Sequence, residues 1–277
     1  MSPDQYCQQK AALSGSSFYY SFLFLPPPRR RAITALYAFC REVDDVVDEC
    51  SDADVARAKL AWWRTQVAMI YGGAPEHPVA QALATTIPTF QLPQERLQEI
   101  IDGMEMDLTQ RRYQDFAALK LYCYRVASVV GLLSAGIFGY RNPDTLRYAE
   151  NLGMAFQLTN IIRDVGEDAR RDRVYLPLDE LARHNVTVTD IMHARHSDGF
   201  RHLMEFQIER AQGYYREAFR LLPAIDRKSQ RPGLVMAAIY QALLAEIRAD
   251  GSRVLTQRTA LTPLRKLWIA WLTWIKN

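Results

Sequence analysis

Two short acidic segments carry the residue types that bind hard cations. The first reads Asp44-Asp45-Val46-Val47-Asp48. The second, about 120 residues further on, reads Asn160-Ile161-Ile162-Arg163-Asp164-Val165-Gly166-Glu167-Asp168. Each lies in a stretch whose apolar spacing predicts helix, so residues four apart share a face, roughly 6 Å from each other along the axis. Asp44 pairs with Asp48 in this way, and Asp164 with Asp168. Like charges at that spacing weaken a helix. A hard divalent cation offsets the cost, because Mg²⁺ takes one or two carboxylates and completes its shell with water and phosphate oxygens.

The flanking residues fit phosphate chemistry. Tyr37, Arg41, Asp44, Asp45 and Asp48 share the first face, and arginine offers phosphate a bidentate fork that lysine lacks. Gln157, Asn160, Asp164 and Asp168 share the second face, with Arg163, Glu167 and Arg171 on the neighbouring row. Either segment alone is equally a solvated acidic face with an Arg–Asp ion pair. Two such faces in one helical chain point instead to a common site, where four carboxylates and an amide converge. Two or three Mg²⁺ ions there would bridge to a diphosphate, neutralise it and stabilise it as a leaving group.

Helices must position these groups. Pro26-Pro27-Pro28, Gly72-Gly73-Ala74-Pro75, Pro93, Asn142-Pro143, Pro177, Pro223, Pro232 and Pro263 punctuate the chain, and apolar residues between them recur at i, i+3, i+4 and i+7. Period-2 alternation is scarce. The pattern predicts an all-α chain of roughly ten helices, one domain over residues 1–277, with no repeat or low-complexity tract dividing it. Between Tyr122 and Gly139, the small residues Ala127, Gly131 and Ala135 form a stripe flanked by Val126, Val130, Leu133 and Ile137. That stripe suits either close helix packing or a groove for a long apolar ligand. Gly131 in mid-helix costs about 1 kcal/mol relative to alanine, so a reason for it is expected.

Composition narrows the function classes. A net charge of +3 gives no case for nucleic acid. Four cysteines without CxxC spacing read as reduced thiols of a cytoplasmic protein. The first residues lack a signal-peptide core, and no run of 18 apolar residues offers a membrane span. The last segment, residues 262–277, holds three tryptophans among apolar and basic residues. It is too short to span and reads as a peripheral membrane-surface tail or a final core helix.

Taken together, several segments resemble the squalene/phytoene synthase family of head-to-head trans-isoprenyl diphosphate synthases. They are Ser16-Ser17-Phe18, Tyr37 through Asp48, Tyr122 through Ala127, and Gln157 through Pro177. The run Ser16 through Pro26 is most similar to bacterial presqualene diphosphate synthases of hopanoid synthesis. The resemblance implies an isoprenoid-synthase-type helical bundle around a central cavity that condenses two farnesyl diphosphates to presqualene diphosphate. It implies metal binding at Asp44, Asp45, Asp48, Asn160, Asp164 and Asp168. Substrate contacts would fall at Ser14, Gly15, Ser16, Ser17, Tyr37, Arg41, Gln157, Arg163, Arg171 and Tyr240. Tyr122 would lie near the reacting carbons, Arg171 and Arg173 would close over the diphosphates, and Arg258 aligns with a further diphosphate arginine or with nothing. A squalene-forming oxidoreductase is expected downstream. The alternatives are a phytoene or dehydrosqualene synthase, a squalene synthase using NADPH, or a non-catalytic relative. A carboxylate di-iron bundle is excluded because no histidine has a glutamate three residues before it.

Overall fold

The computed structural model describes residues 1–13, 17–22, 24–50 and 52–277, with the backbone alone described for Ser17, Tyr19 and Tyr20. These residues form fourteen α-helices. The first six are α1 (Pro3–Leu13), α2 (Ser17–Phe22), α3 (Pro27–Glu49), α4 (Ala53–Gly72), α5 (Pro78–Phe90) and α6 (Gln94–Thr109). Next come α7 (Phe116–Cys123), α8 (Val129–Phe138), α9 (Asp144–Arg170), α10 (Leu178–Arg183) and α11 (Val188–Met192). The chain ends in α12 (Asp198–Leu221), α13 (Arg231–Ala249) and α14 (Pro263–Lys276). The count exceeds ten because α2, α10 and α11 are only five or six residues long, too short to show a period.

The two acidic helices begin and end where local chemistry says they should. Pro27 and Pro28 open α3, where missing N–H groups cost nothing, and the extended backbone of Cys50 ends it. In α9, Asp144 in the first turn and Arg170 in the last complement the helix dipole. Two bodies of core pack on either side of a central space. One gathers α9, α12 and α13 around Tyr148, Leu158, Phe200, Leu203 and Val235. The other gathers α3 to α6 around Leu36, Phe39, Leu60, Leu83 and Ile100.

Residues 122–139 form the wall between them, and they are not one uniform helix. Tyr124–Ser128 is a turn of π-helix joining α7 to α8, with the Val129 N–H bonded back to the Tyr124 carbonyl. The whole stretch Phe116–Phe138 is long and apolar enough to cross a membrane by length and composition, which differs from the expectation that none would be. Half of its most apolar window is buried inside the protein. The run escaped notice in the sequence because Lys120 and Arg125 interrupt it.

The segment after α13 is fixed to α9 by a close approach. The Gly166 N–H donates to the Val254 carbonyl at 3.1 Å. A Cβ on Gly166 would meet the Leu255 carbonyl oxygen at 2.2 Å. Gly166→Ala is therefore expected to push residues 254–258 off the helix and lower the melting temperature. The cost should be about 1–3 kcal/mol, readable by calorimetry; an unchanged melting temperature would show that the segment yields freely.

Candidate active site

A cavity of about 480 Å³ opens between the two cores. Along α3 it is lined by Ile33, Leu36, Tyr37, Cys40, Arg41, Asp44 and Asp48, and along α9 by Tyr148, Leu152, Phe156, Gln157, Asn160, Asp164 and Asp168. Both stripes keep to one helix face, and both run from apolar floor to acidic mouth in the N-to-C direction. The two acidic motifs thus sit together at the C-terminal ends of two helices, where the dipoles already favour positive charge. From Tyr148 to Asp164 the α9 wall is about 24 Å long at 1.5 Å per residue. Val126, Ala127, Val130, Gly131 and Ala135 add to the apolar lining, whereas Leu133 and Ile137 turn into the α3–α6 core.

The small-residue stripe serves both of its expected purposes. It lines the cavity, and it also lets α8 and the π-turn touch α9 backbone to backbone. A Cβ on Gly131 would meet the Ala149 carbonyl oxygen at 2.5 Å, and one on Gly153 the Ala127 carbonyl oxygen at 2.5 Å. Ser128 Oγ donates to the Glu150 carbonyl at 2.8 Å across the same junction.

At the mouth, arginines hold the carboxylates. Arg171 and Arg173, both just beyond α9, donate to the two oxygens of Asp48 at 2.7 Å each, tying the second motif's end to the first motif. Arg163 Nε donates to Asp164 Oδ1 at 2.7 Å, and Arg258 Nε reaches the same oxygen at 2.9 Å and Glu167 at 3.0 Å. Tyr240, expected among the substrate contacts, is buried close enough to Arg163 to feel its charge and does not itself line the cavity. Arg41 binds Asp44 and Asp45. Arg258 therefore joins the site, the point that the sequence left open.

Asp45 departs from the expected set. It shares the helix arc with Asp44 and Asp48, yet it does not line the cavity. Its carboxylate is held by Arg41 and, at 2.8 Å, by Lys10 of α1. Ser14, Gly15 and Ser16 lie outside the described residues, and Ser17 is described only as the start of α2. Asp44, Asp48, Gln157, Asn160, Arg163, Asp164, Asp168, Arg171, Tyr37, Arg41 and Tyr122 all line one cavity.

Asp107 was not foreseen. This α6 residue lines the cavity and accepts hydrogen bonds from Tyr122 at 2.9 Å and Tyr175 at 2.7 Å, with the two tyrosine rings stacked. Tyr175 reaches it because Val174 and Leu178 donate to the carbonyls of Arg111 and Tyr113, laying residues 174–178 along that segment. The sequence did carry a signal: Asp107 continues the buried row Ile100, Gly103, Met104, and a carboxylate on a buried row needs a reason. Lys266 of α14 is a second unforeseen neighbour, its ammonium disfavoured by burial and by the charges of Arg163 and Arg258.

The carboxylates differ in electrostatic state. Burial pushes Asp168 up to about 8, reinforced by Asp164 and Asp107 and opposed by Arg173 and Arg171. Among the described residues it has no side-chain hydrogen bond or ion pair. Burial likewise pushes Asp44 and Asp107 up to about 6, despite Arg41 beside the first and Tyr175 bonded to the second. Burial also acts on Asp164, but the hydrogen bonds from Arg163 and Arg258 hold it below the usual carboxylate range.

These residues fit a divalent cation. The Asn160 amide is oriented by its Nδ2 donating to Gln157 Oε1 at 3.2 Å, which leaves Oδ1 buried without a partner. That oxygen and the unpaired Asp168 are hard oxygen donors without a positive partner among the described residues, and Asp44 beside them has Arg41 alone. Among the described residues no three acidic, histidine or cysteine side chains form a ready-made cage. The donor set therefore suits an ion that draws further oxygens from water and substrate, as Mg²⁺ does.

Comparison with known proteins agrees with this geometry. The family model described as squalene/phytoene synthase matches residues 11–265. A 15-cis-phytoene synthase of Synechocystis sp. is 37% identical, over 96% of this chain and 83% of its own. A dehydrosqualene synthase crystal structure superposes with a TM-score of 0.89 at 28% identity, covering 98% of this chain and 95% of that one. Squalene synthase HpnC from Alicyclobacillus acidocaldarius gives 0.80 at 30% identity, covering 90% and 94%.

Proposed function

The chain belongs to the squalene/phytoene synthase family of prenyltransferases, and we propose that it condenses two allylic prenyl diphosphates head to head. The observation that carries this reading is the meeting of both acidic motifs over one apolar cavity at the C-terminal ends of α3 and α9. Mg²⁺ held by Asp44, Asp48, Asn160, Asp164 and Asp168 would supply Lewis-acid neutralisation of the departing diphosphate.

The chain's own groups account for the rest. Arg163 and Arg258 are poised to donate to diphosphate oxygens, each giving up a bond to Asp164 to do so. Arg171 and Arg173 can do the same from Asp48, closing the segment after α9 over the mouth. Ionisation of the donor leaves an allylic cation in the apolar part of the cavity. Leu36, Val126, Leu152 and Phe156 exclude water from it. The acceptor's double bond attacks that cation, and loss of a proton closes a cyclopropane. The aromatic face of Tyr122 favours positive charge nearby. Its hydroxyl, bonded to Asp107, keeps its proton because burial and Asp107 push it far up.

Two chain lengths follow from different observations. Sequence likeness to phytoene synthases supports geranylgeranyl diphosphate, ahead of the farnesyl reading drawn from Ser16 through Pro26. Likeness of fold to dehydrosqualene synthase and HpnC supports farnesyl diphosphate. The purified chain with Mg²⁺ and no NADPH should be given each substrate separately, and the products identified by mass. A forty-carbon product from geranylgeranyl diphosphate establishes the first reading, and presqualene diphosphate from farnesyl diphosphate the second. No turnover of either would overturn head-to-head condensation.

A further inference from the structure

The helix α14 is docked by one row of side chains and leaves the opposite row bare. Lys266, Ala270 and Trp274, at i, i+4 and i+8, face the protein: Ala270 is fully buried and Trp274 meets the Phe24 ring at a tilt, with Arg231 over its own ring. Leu264, Leu267, Trp268, Trp271 and Ile275, at i, i+3, i+4, i+7 and i+11, are 40–79% exposed. Five large apolar side chains on one exposed stripe are more than scattered surface hydrophobes.

We propose that this stripe lies on an anionic phospholipid bilayer, with α14 parallel to its surface. The charges around the stripe choose this occupant. Helix α14 carries Arg265, Lys266 and Lys276 and no acidic residue; Arg265 pairs with Glu246 and Lys266 turns to the protein, so Lys276 is the charge the helix itself presents outward. Lys276 is exposed, and Arg227, which bonds Asn277 at 2.8 Å, adds positive charge with Lys228 at the same end. Ile225, 59% exposed, extends the apolar surface there. Tryptophan suits the depth at which an indole meets both headgroups and acyl chains. A second copy of this chain would instead bring like charges together. The helix also packs against α2 and α13, whose Phe22 and Met236 line the cavity, so α14 itself stands between the exposed stripe and the cavity wall.

Vesicle flotation of the full chain tests this, comparing phosphatidylglycerol/phosphatidylcholine vesicles with pure phosphatidylcholine. The wild type should float with the anionic vesicles, release with added salt, and bind at least about tenfold better than a Trp268→Ser/Trp271→Ser double variant of equal melting temperature. Equal flotation of both proteins, equal binding to uncharged vesicles, or a wild type left in the aqueous fraction would each overturn the proposal. So would a concentration-dependent dimer that the double substitution abolishes without any vesicle binding.

Discussion

Asp168→Asn should stabilise the metal-free chain at pH 8 and abolish turnover, whereas Asp164→Asn should lower both stability and turnover. The two residues lie one turn apart, but their environments give opposite signs. With its carboxyl raised to about 8, folded Asp168 holds a proton that the unfolded chain has lost above its ordinary value near 3.8. Wild-type stability therefore falls as pH rises across that window. An amide does not titrate and removes the penalty, by about 2 kcal/mol after allowance for partial exposure, or roughly 5 °C. Asp164 is held low by Arg163 and Arg258. Its stabilisation is present above the ordinary carboxylate value and disappears as pH falls through its depressed one. Both substitutions replace a carboxylate of the site with a neutral amide and so remove a negative charge that would hold the cation, and turnover should fall by about a thousandfold or more. Melting in EDTA at pH 5 and pH 8, with product formation in Mg²⁺, checks all four signs. A less stable Asp168→Asn at pH 8, or either variant with wild-type turnover, would contradict the assignment.

Gly153→Ala should destabilise the chain strongly, against the helix propensity that predicts a gain of about 1 kcal/mol. The new methyl would meet the Ala127 carbonyl oxygen at 2.5 Å, Ser128 Cα at 2.6 Å and Ala127 C at 2.8 Å. All three are backbone atoms of the π-turn, so no rotamer change relieves the contact. The helices must separate, breaking the bond from Ser128 to Glu150 and shifting Ala127 at the cavity wall. A loss of about 3 kcal/mol, or roughly 10 °C in melting temperature, is expected. A rise would mean that propensity dominates and the helices do not touch as described.

The sequence announced α3 and α9 because each keeps a helical period over more than twenty residues and carries its chemistry on one row. Their shared cavity was legible for the same reason, since two carboxylate faces without counter-charge require a common partner. The helical wheel places Asp45 beside Asp44 and Asp48, so the sequence alone does not separate it from them. What turns it away is Lys10, on a helix whose packing no local pattern reveals. Asp107 and Lys266 enter from α6 and α14, and only the fold brings them to α9. The π-turn was invisible because its residues, Tyr124 to Ser128, have no composition that an α-helix would reject. The parallel run of α3 and α9, which gathers two negative dipole ends at one mouth, likewise depends on topology.

Calorimetric titration with inorganic diphosphate tests most directly whether the two acidic helices form one metal–diphosphate clamp. Wild-type protein should bind diphosphate tightly in Mg²⁺ and weakly in EDTA. Asp48→Asn on α3 and Asp164→Asn on α9 should each weaken binding in Mg²⁺ by at least about tenfold, because each removes a carboxylate charge from the same ion cluster. Diphosphate binding that is equal without Mg²⁺, or that survives the loss of either aspartate, would contradict the account.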